Sequence, residues 1–289
     1  MNSLPYLEPP QRAIAMICRT PDIVWLDFLA GFTSYDIFLI IDNDSYDCAA
    51  LISAYSSIRF IQVDSEPCTA AGFTELNAVH FNNVTGWDKA LYYFSCLNTT
   101  YGQIWLFEDD VFFYDENTIK NIDAKYTDSD LLTAPFKTST GTSRHWWWWS
   151  MIDIPLEQPY YNAMVCGLRI SKKLLNTITK YAQENRKLFF LEALFPTLAI
   201  KNNLLYAHPK ELEQIYFRYN WRYLSKKNIF HPVKNIASHP EIRAILSKNN
   251  AFYRLKFHFT DKFTRWTTKT KKQIKMMLPE KWQKKKENL

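Results

Sequence analysis

Residues 11–136 predict an α/β fold: a mainly parallel sheet with helices on both faces. Two observations carry this. Short apolar runs recur with no polar residue inside them, which marks strands buried on both sides rather than on one. Between these runs lie segments with helix start and stop signals, so strand and helix alternate along the chain.

In order, Ala13-Ile-Ala-Met-Ile-Cys18 reads as the first buried strand. In Arg19-Thr20-Pro21-Asp22, Thr20 suits an N-cap and Pro21 the first helical position, and Gly31 stops the helix. Tyr35-Asp-Ile-Phe-Leu-Ile-Ile41 is a second strand, closed by Asp42-Asn43-Asp44. Residues 46–55 read as helix, 58–63 as a third strand and 64–85 as a long connection of small polar residues around Pro67 and Gly72. A helix over 87–96 leads to the fourth strand, Gln103-Ile-Trp-Leu-Phe107, which runs into Glu108-Asp109-Asp110.

The second half is less regular. Leu131-Leu-Thr-Ala-Pro-Phe136 is a candidate strand, and a Thr/Ser/Gly stretch, 137–144, runs into His145 and the tryptophans Trp146 to Trp149. On a strand, four adjacent aromatics put two on each face, so at least half belong to the core and one or two are left for a ligand-facing surface. Residues 161–170 resemble a strand, and Ser171 caps a helix through Tyr181. Phe189-Phe-Leu-Glu192-Ala-Leu-Phe195 is apolar with one acid at its centre. In the tail, Phe252, Leu255, Phe259, Phe263 and Trp266 recur at steps of three and four with Lys and Arg between them, the pattern of a basic amphipathic helix.

The totals narrow the function classes. Hydrophobic residues at 47% and aromatics at 16% supply a packed core and exclude global disorder. Residues 251–289 carry 12 Lys and Arg against 3 Asp and Glu, so the total of +6 leaves a net of −3 on residues 1–250. A body without its own basic excess gives no reason to infer nucleic-acid binding. The five cysteines form no Cys-x-x-Cys pair and suit buried thiols in a reducing compartment. Residues 1–10 lack a basic stretch followed by a long apolar core, and no run approaches the ~18 apolar residues of a membrane span. The expected location is cytoplasmic, with the tail 251–289 as a peripheral contact to an anionic membrane at its inner face.

In parallel sheets, ligands bind beyond the carboxyl ends of the strands. There the chain collects Arg19, Asp42, Asn43, Asp44, Asp64 and Glu108-Asp109-Asp110. Three acids at the exit of a buried strand are costly unless positive charge meets them. A divalent cation whose shell is completed by phosphates would do so; a solvated acidic turn is the other reading. If the backbone stays extended, Glu108 and Asp110 share one face and Asp109 takes the other.

Cys18-Arg19, Asp42-Asn43-Asp44 and Phe107-Glu108-Asp109-Asp110, in that order, resemble a Rossmann-type glycosyltransferase of the GT-A kind. The triplet is similar to the Glu-Asp-Asp form of the metal-binding Asp-x-Asp motif of inverting N-acetylglucosaminyltransferases. The likeness covers roughly the first 115 residues. It implies a catalytic domain over 1–250, with a nucleotide-sugar half at 11–136 and an acceptor half at 137–250, followed by the tail 251–289. It also implies metal-dependent transfer of a hexosyl or N-acetylhexosaminyl group from a nucleotide sugar, a UDP-sugar foremost, to a glycan or lipid-linked acceptor.

By the same resemblance Mn²⁺ or Mg²⁺ is the cofactor and Asp110 its direct ligand. Glu108 and Asp109 would orient the ion's waters or the donor, and Arg19 with Asp42 or Asp44 would hold the nucleotide. His231, in Phe-His-Pro-Val-Lys, resembles the late histidine such enzymes bring to the metal or diphosphate, and Lys234 would meet phosphate charge. Inverting transfer needs a base. Glu192 is the first candidate, because apolar neighbours raise a carboxylate's proton affinity, and Asp153 is the second. Each residue also has a structural reading: a helix-start salt bridge for Arg19, an Asx turn for Asp42 and Asp44, a solvent-facing helix position for Glu192, and a packing role for His231. A carbohydrate-binding protein without turnover and a metal-dependent phosphoesterase are the competing functions.

Overall fold

The computed structural model describes residues 11–80, 83–139, 146–215 and 225–248. The chain divides into two units. The first holds residues 1–220 and 225–239, and the second holds 221–224 and 240–289, an earlier division than the expected one at 250/251. The tail with its basic amphipathic pattern lies outside the described residues.

In the first unit, β1 (Arg12–Cys18), β2 (Asp36–Ile41), β3 (Ile58–Ile61) and β4 (Gln103–Glu108) are parallel and ordered β3-β2-β1-β4. Alternate residues feed two separate cores: Ala13, Ala15, Ile104 and Leu106 pack into one, and Ile14, Met16, Trp105 and Phe107 into the other. That two-sided burial is why these strands are unbroken apolar runs.

Beyond β4 the sheet continues through β5 (Leu131–Leu132), β8 (Gly167–Ser171) and β9 (Tyr206–Ala207) in the order β4-β8-β5-β9. Strand β8 is antiparallel to both neighbours, so the seven-stranded sheet is mixed but mostly parallel. The stretch read as one strand over 161–170 is two: β7 (Tyr160–Asn162) pairs with β6 (Lys137–Ser139) in a small separate sheet, and β8 joins the main one.

Helix α1 (Ile23–Leu29) begins later than Pro21 suggests, because Asp22 caps it by accepting from the Val24 N–H at 2.8 Å. Helix α2 (Ala49–Ala54) follows β2 as expected. Helix α3 (Ser65–Ala70) occupies part of the segment read as connection; Pro67 sits within its first turn, where no intrahelical N–H is needed. Helix α4 (Gly86–Tyr92) runs on through a π-helical turn, Tyr93–Leu97, to β4. Helix α5 (Glu116–Lys125) is capped by Asp115, whose carboxylate accepts from the Thr118 N–H at 2.8 Å. Helix α6 (Lys172–Asn185) is capped by Ser171 as expected. Helix α7 (Leu191–Lys201) carries Glu192 in its first turn, and helix α8 (His239–Ser247) is the last described element. The tryptophan run is not a strand but a short 3₁₀ helix, Trp147–Met151, so its side chains do not alternate between two faces.

Candidate active site

A cavity of about 560 Å³ opens at the carboxyl ends of β1, β2 and β4. Its lining includes Arg19, Asp42, Thr85, Gly86, Glu108, Asp109 and Asp110, so most of the polar residues expected at this edge do meet there. The cavity depends on Gly86: a Cβ at that position would lie 2.6 Å from Ile17 Cγ2 and 3.2 Å from Asp42 Cβ. Only hydrogen at Gly86 lets the start of α4 approach the ends of β1 and β2 this closely.

Asp42 and Asp44 converge on one cation. The Lys89 Nζ, on a side chain almost wholly buried in α4, lies 3.1 Å from Asp42 Oδ1 and 2.7 Å from Asp44 Oδ1. The Asx turn weighed for this loop belongs instead to Asn43, whose side chain accepts from the Ser45 N–H at 3.2 Å. Arg19 is exposed at the cavity and has no ion-pair partner among the described residues. Asp64 precedes α3 and stands outside the lining.

The triplet is not extended. Glu108 ends β4, and the Val111 N–H donates to the Glu108 carbonyl at 3.1 Å, so Asp109 and Asp110 turn. The turn is held from both sides. The Trp25 indole donates to the Asp109 carbonyl at 2.7 Å, and the Val233 N–H donates to the Asp110 carbonyl at 2.7 Å. A short antiparallel bridge between Phe112 and Phe230 brings the late segment alongside. His231 Nε2 thereby comes within 3.3 Å of Asp110 Oδ1 and 3.7 Å of Glu108 Oε2, while Lys234 Nζ stands 3.7 Å from Asp110 Oδ2.

These neighbours split the three acids. Burial pushes the Glu108 carboxyl up, with Asp110 adding to it, while the Trp87 indole donates to its Oε1 at 2.9 Å. Asp109 is also pushed up, by burial and then by Asp110. For Asp110 burial works the same way, but His231 and Lys234 outweigh it and hold the carboxyl below its ordinary value. Asp110 Oδ1 is buried with His231 Nε2 3.3 Å away, a contact without good hydrogen-bond geometry, and His231 Nδ1 is likewise buried without a partner. A divalent cation fits this set: a buried carboxylate oxygen lies beside an imidazole, and both are donor types that such ions take.

Glu192 shares this environment. Its carboxyl is raised to about 7, by burial and then by the charge of Glu108; His231, the Trp146 side chain hydrogen-bonded to it and Lys137 act in the opposite direction. Asp153 is elsewhere. Its side chain is 84% exposed and faces Lys187 at 3.9 Å, without the apolar surroundings that the base role was expected to use.

Sequence reasoning missed Lys89, the Trp87 anchor of Glu108 and Cys166. The signal for Lys89 was a lysine on the apolar run of α4. Trp146 was singled out without its partner: it stacks on Phe190 at 5.8 Å and hydrogen-bonds Glu192.

No protein-family model matches the sequence, and no curated protein is significantly similar to it. Among solved structures, the chain is similar to the galactosyltransferase LgtC in complex with donor and acceptor sugar analogues, at 14% identity and a TM-score of 0.45, over 84% of this chain and 99% of that one. Mouse xyloside xylosyltransferase 1 aligns at 12% identity and a TM-score of 0.41, over 78% of this chain and 99% of that one. The 4-diphosphocytidyl-2C-methyl-D-erythritol synthase of Anaerococcus prevotii aligns at 10% identity and a TM-score of 0.42, over 83% and 98%. Likenesses of this size do not specify a reaction.

Proposed function

We propose that the chain is a metal-dependent glycosyltransferase that moves a sugar from a nucleotide-sugar donor to a glycan or lipid-linked acceptor with inversion. The observation that carries this is the approach of His231 to Asp110 and Glu108, two acids that line a cavity with Arg19. A cavity at the carboxyl edge of a parallel sheet is a nucleotide site by position, and its size suits a ligand of that class. Arg19, without an ion-pair partner among the described residues, and Lys234, beside Asp110, would meet phosphate oxygens.

Mn²⁺ or Mg²⁺ held by Asp110 and His231 would stabilise charge on the departing diphosphate. The chain's own groups do the rest. The Asp42–Lys89–Asp44 cluster would fix the loop that faces the nucleoside. Glu192 is the base: its Oε takes the proton of the acceptor hydroxyl as the new C–O bond forms at the anomeric carbon and the bond to the diphosphate breaks. A carboxyl raised to about 7 suits that task, since it is ionised in part at neutral pH and is a stronger base than an ordinary glutamate. The hydrogen-bonded Trp146 side chain orients it.

The test is a thermal-shift panel of UDP-, GDP- and CMP-sugars with and without Mn²⁺, followed by donor hydrolysis. A UDP-sugar should raise Tm only with metal present, and Asp110→Ala should abolish both the shift and hydrolysis. Stabilisation without hydrolysis in either form would support a non-catalytic binder, and no response to any donor would overturn the reading.

A further inference from the structure

Cys166 has no role in the reaction proposed above, yet it sits against the cation site. It immediately precedes β8, opposite the end of β4, where the Glu108 N–H donates to the Cys166 carbonyl at 2.8 Å. Close approach of the strands holds it there: a Cβ on the adjoining Gly167 would lie 2.7 Å from the Phe107 ring. The Cys166 Sγ, a carboxylate oxygen of Glu108 and a ring nitrogen of His231 all lie within 4.8 Å of one another. Cys166 and His231 are buried, at 6% and 7% exposure, and His231 Nδ1 has no hydrogen-bond partner. The Glu108 carboxylate reaches the cavity wall, which gives an ion a way in.

Sulfur, nitrogen and oxygen donors together suit Zn²⁺ and Co²⁺, whereas Mg²⁺ and Mn²⁺ favour oxygen-rich shells. We propose that Cys166, Glu108 and His231 form a site for a thiophilic divalent cation, reached from the cavity that Glu108 lines. On binding, a metal–sulfur bond forms, the ion gives up a water, and the thiol proton leaves to solvent. The ion would compete with Mn²⁺ for His231, so Zn²⁺ would displace the hard cation rather than add to it. This does not depend on the chain turning over a nucleotide sugar.

The test uses the full chain and Co²⁺. A thiolate-to-cobalt charge-transfer band should grow to one equivalent in the wild type and in Cys96→Ser, the control for an exposed thiol, and should vanish in Cys166→Ser and His231→Gln. Zinc X-ray absorption on the Zn²⁺-loaded wild type keeps the test independent of whether these variants fold. It should show one sulfur scatterer at about 2.3 Å. Cobalt binding without a thiolate band, a band that survives Cys166→Ser, or a shell of nitrogen and oxygen alone would each overturn the site. A thiolate band in a chain that no nucleotide sugar stabilises would leave this site standing and refute the transferase reading instead.

Discussion

Replacing Glu192 by Gln separates its electrostatic state from its packing. The folded chain raises this carboxyl from an ordinary 4.5 to about 7, through burial and the charge of Glu108. At about 1.36 kcal/mol per pH unit, that difference corresponds to about 3 kcal/mol. The sign follows from proton binding. Between pH 4.5 and about 7 the folded chain keeps a proton that the unfolded chain has released, so stability falls as pH rises through this window and the full deficit is present above it. Gln keeps the shape and an acceptor for Trp146, but it has no charge to bury. In chelator, urea unfolding should therefore find Glu192→Gln more stable than wild type by about 1–3 kcal/mol at pH 8, with the gap closing toward pH 5. In the transfer assay the same variant should lose about 10²- to 10⁴-fold in kcat, and the wild-type rate should fall as pH drops below about 7. A stability gap that is constant from pH 5 to 8 would refute the assignment of a buried, proton-holding Glu192.

Three further perturbations test separate parts of the fold and site. Asp110→Ala removes the one acid of the triplet held below its ordinary value, and a direct ligand should cost more than the ~10–100-fold in metal affinity typical of outer-shell partners; Mn²⁺ titration followed by Tm measures it. Gly86→Ala drives a methyl to 2.6 Å from Ile17 Cγ2 and should cost about 1–3 kcal/mol in urea unfolding, with donor binding weakened as α4 is pushed from the cavity. Asp123→Asn leaves the fully buried Arg169, now 2.6 Å from the carboxylate, without its counter-charge, and should cost about 3–5 kcal/mol in the same assay; a loss under 1 kcal/mol would mean the pair is not the buried anchor of β8.

Strands β1, β2 and β4 were legible because burial on both faces leaves its mark in nearly every residue of the run, whereas the edge strand β3 keeps an exposed Arg59 among its apolar residues. Strand β8 was legible as a strand but not in direction, since an apolar run reads the same either way. The tryptophan run misled because aromatics favour strands, whereas here Trp146 is fixed by Glu192 and Phe190, partners distant in sequence. Helix α3 was hidden by Pro67, read as loop punctuation although the first turn of a helix tolerates it. Within the site, Arg19, Asp42, Glu108 and Asp110 could be found because strand ends collect ligand-binding groups. Lys89 and Cys166 could not, because each sits among apolar residues and its polar role appears only once a second element is laid against it.

The fate of the three acids shows how far such a long-range contact reaches. Glu108, Asp109 and Asp110 are chemically near-equal neighbours at the same strand exit, and burial pushes all three toward the neutral form. The paired backbones of Phe112 and Phe230 change this by bringing His231 to 3.3 Å and Lys234 to 3.7 Å from Asp110, whereas at Asp109 burial and the charge of Asp110 outweigh Lys234. Of the three, only Asp110 is then held below its ordinary value. In the proposed metal site, the segment around residues 230–234 would thus set Asp110 apart as the direct ligand, and cutting that bridge should weaken Mn²⁺ binding with every acid still in place.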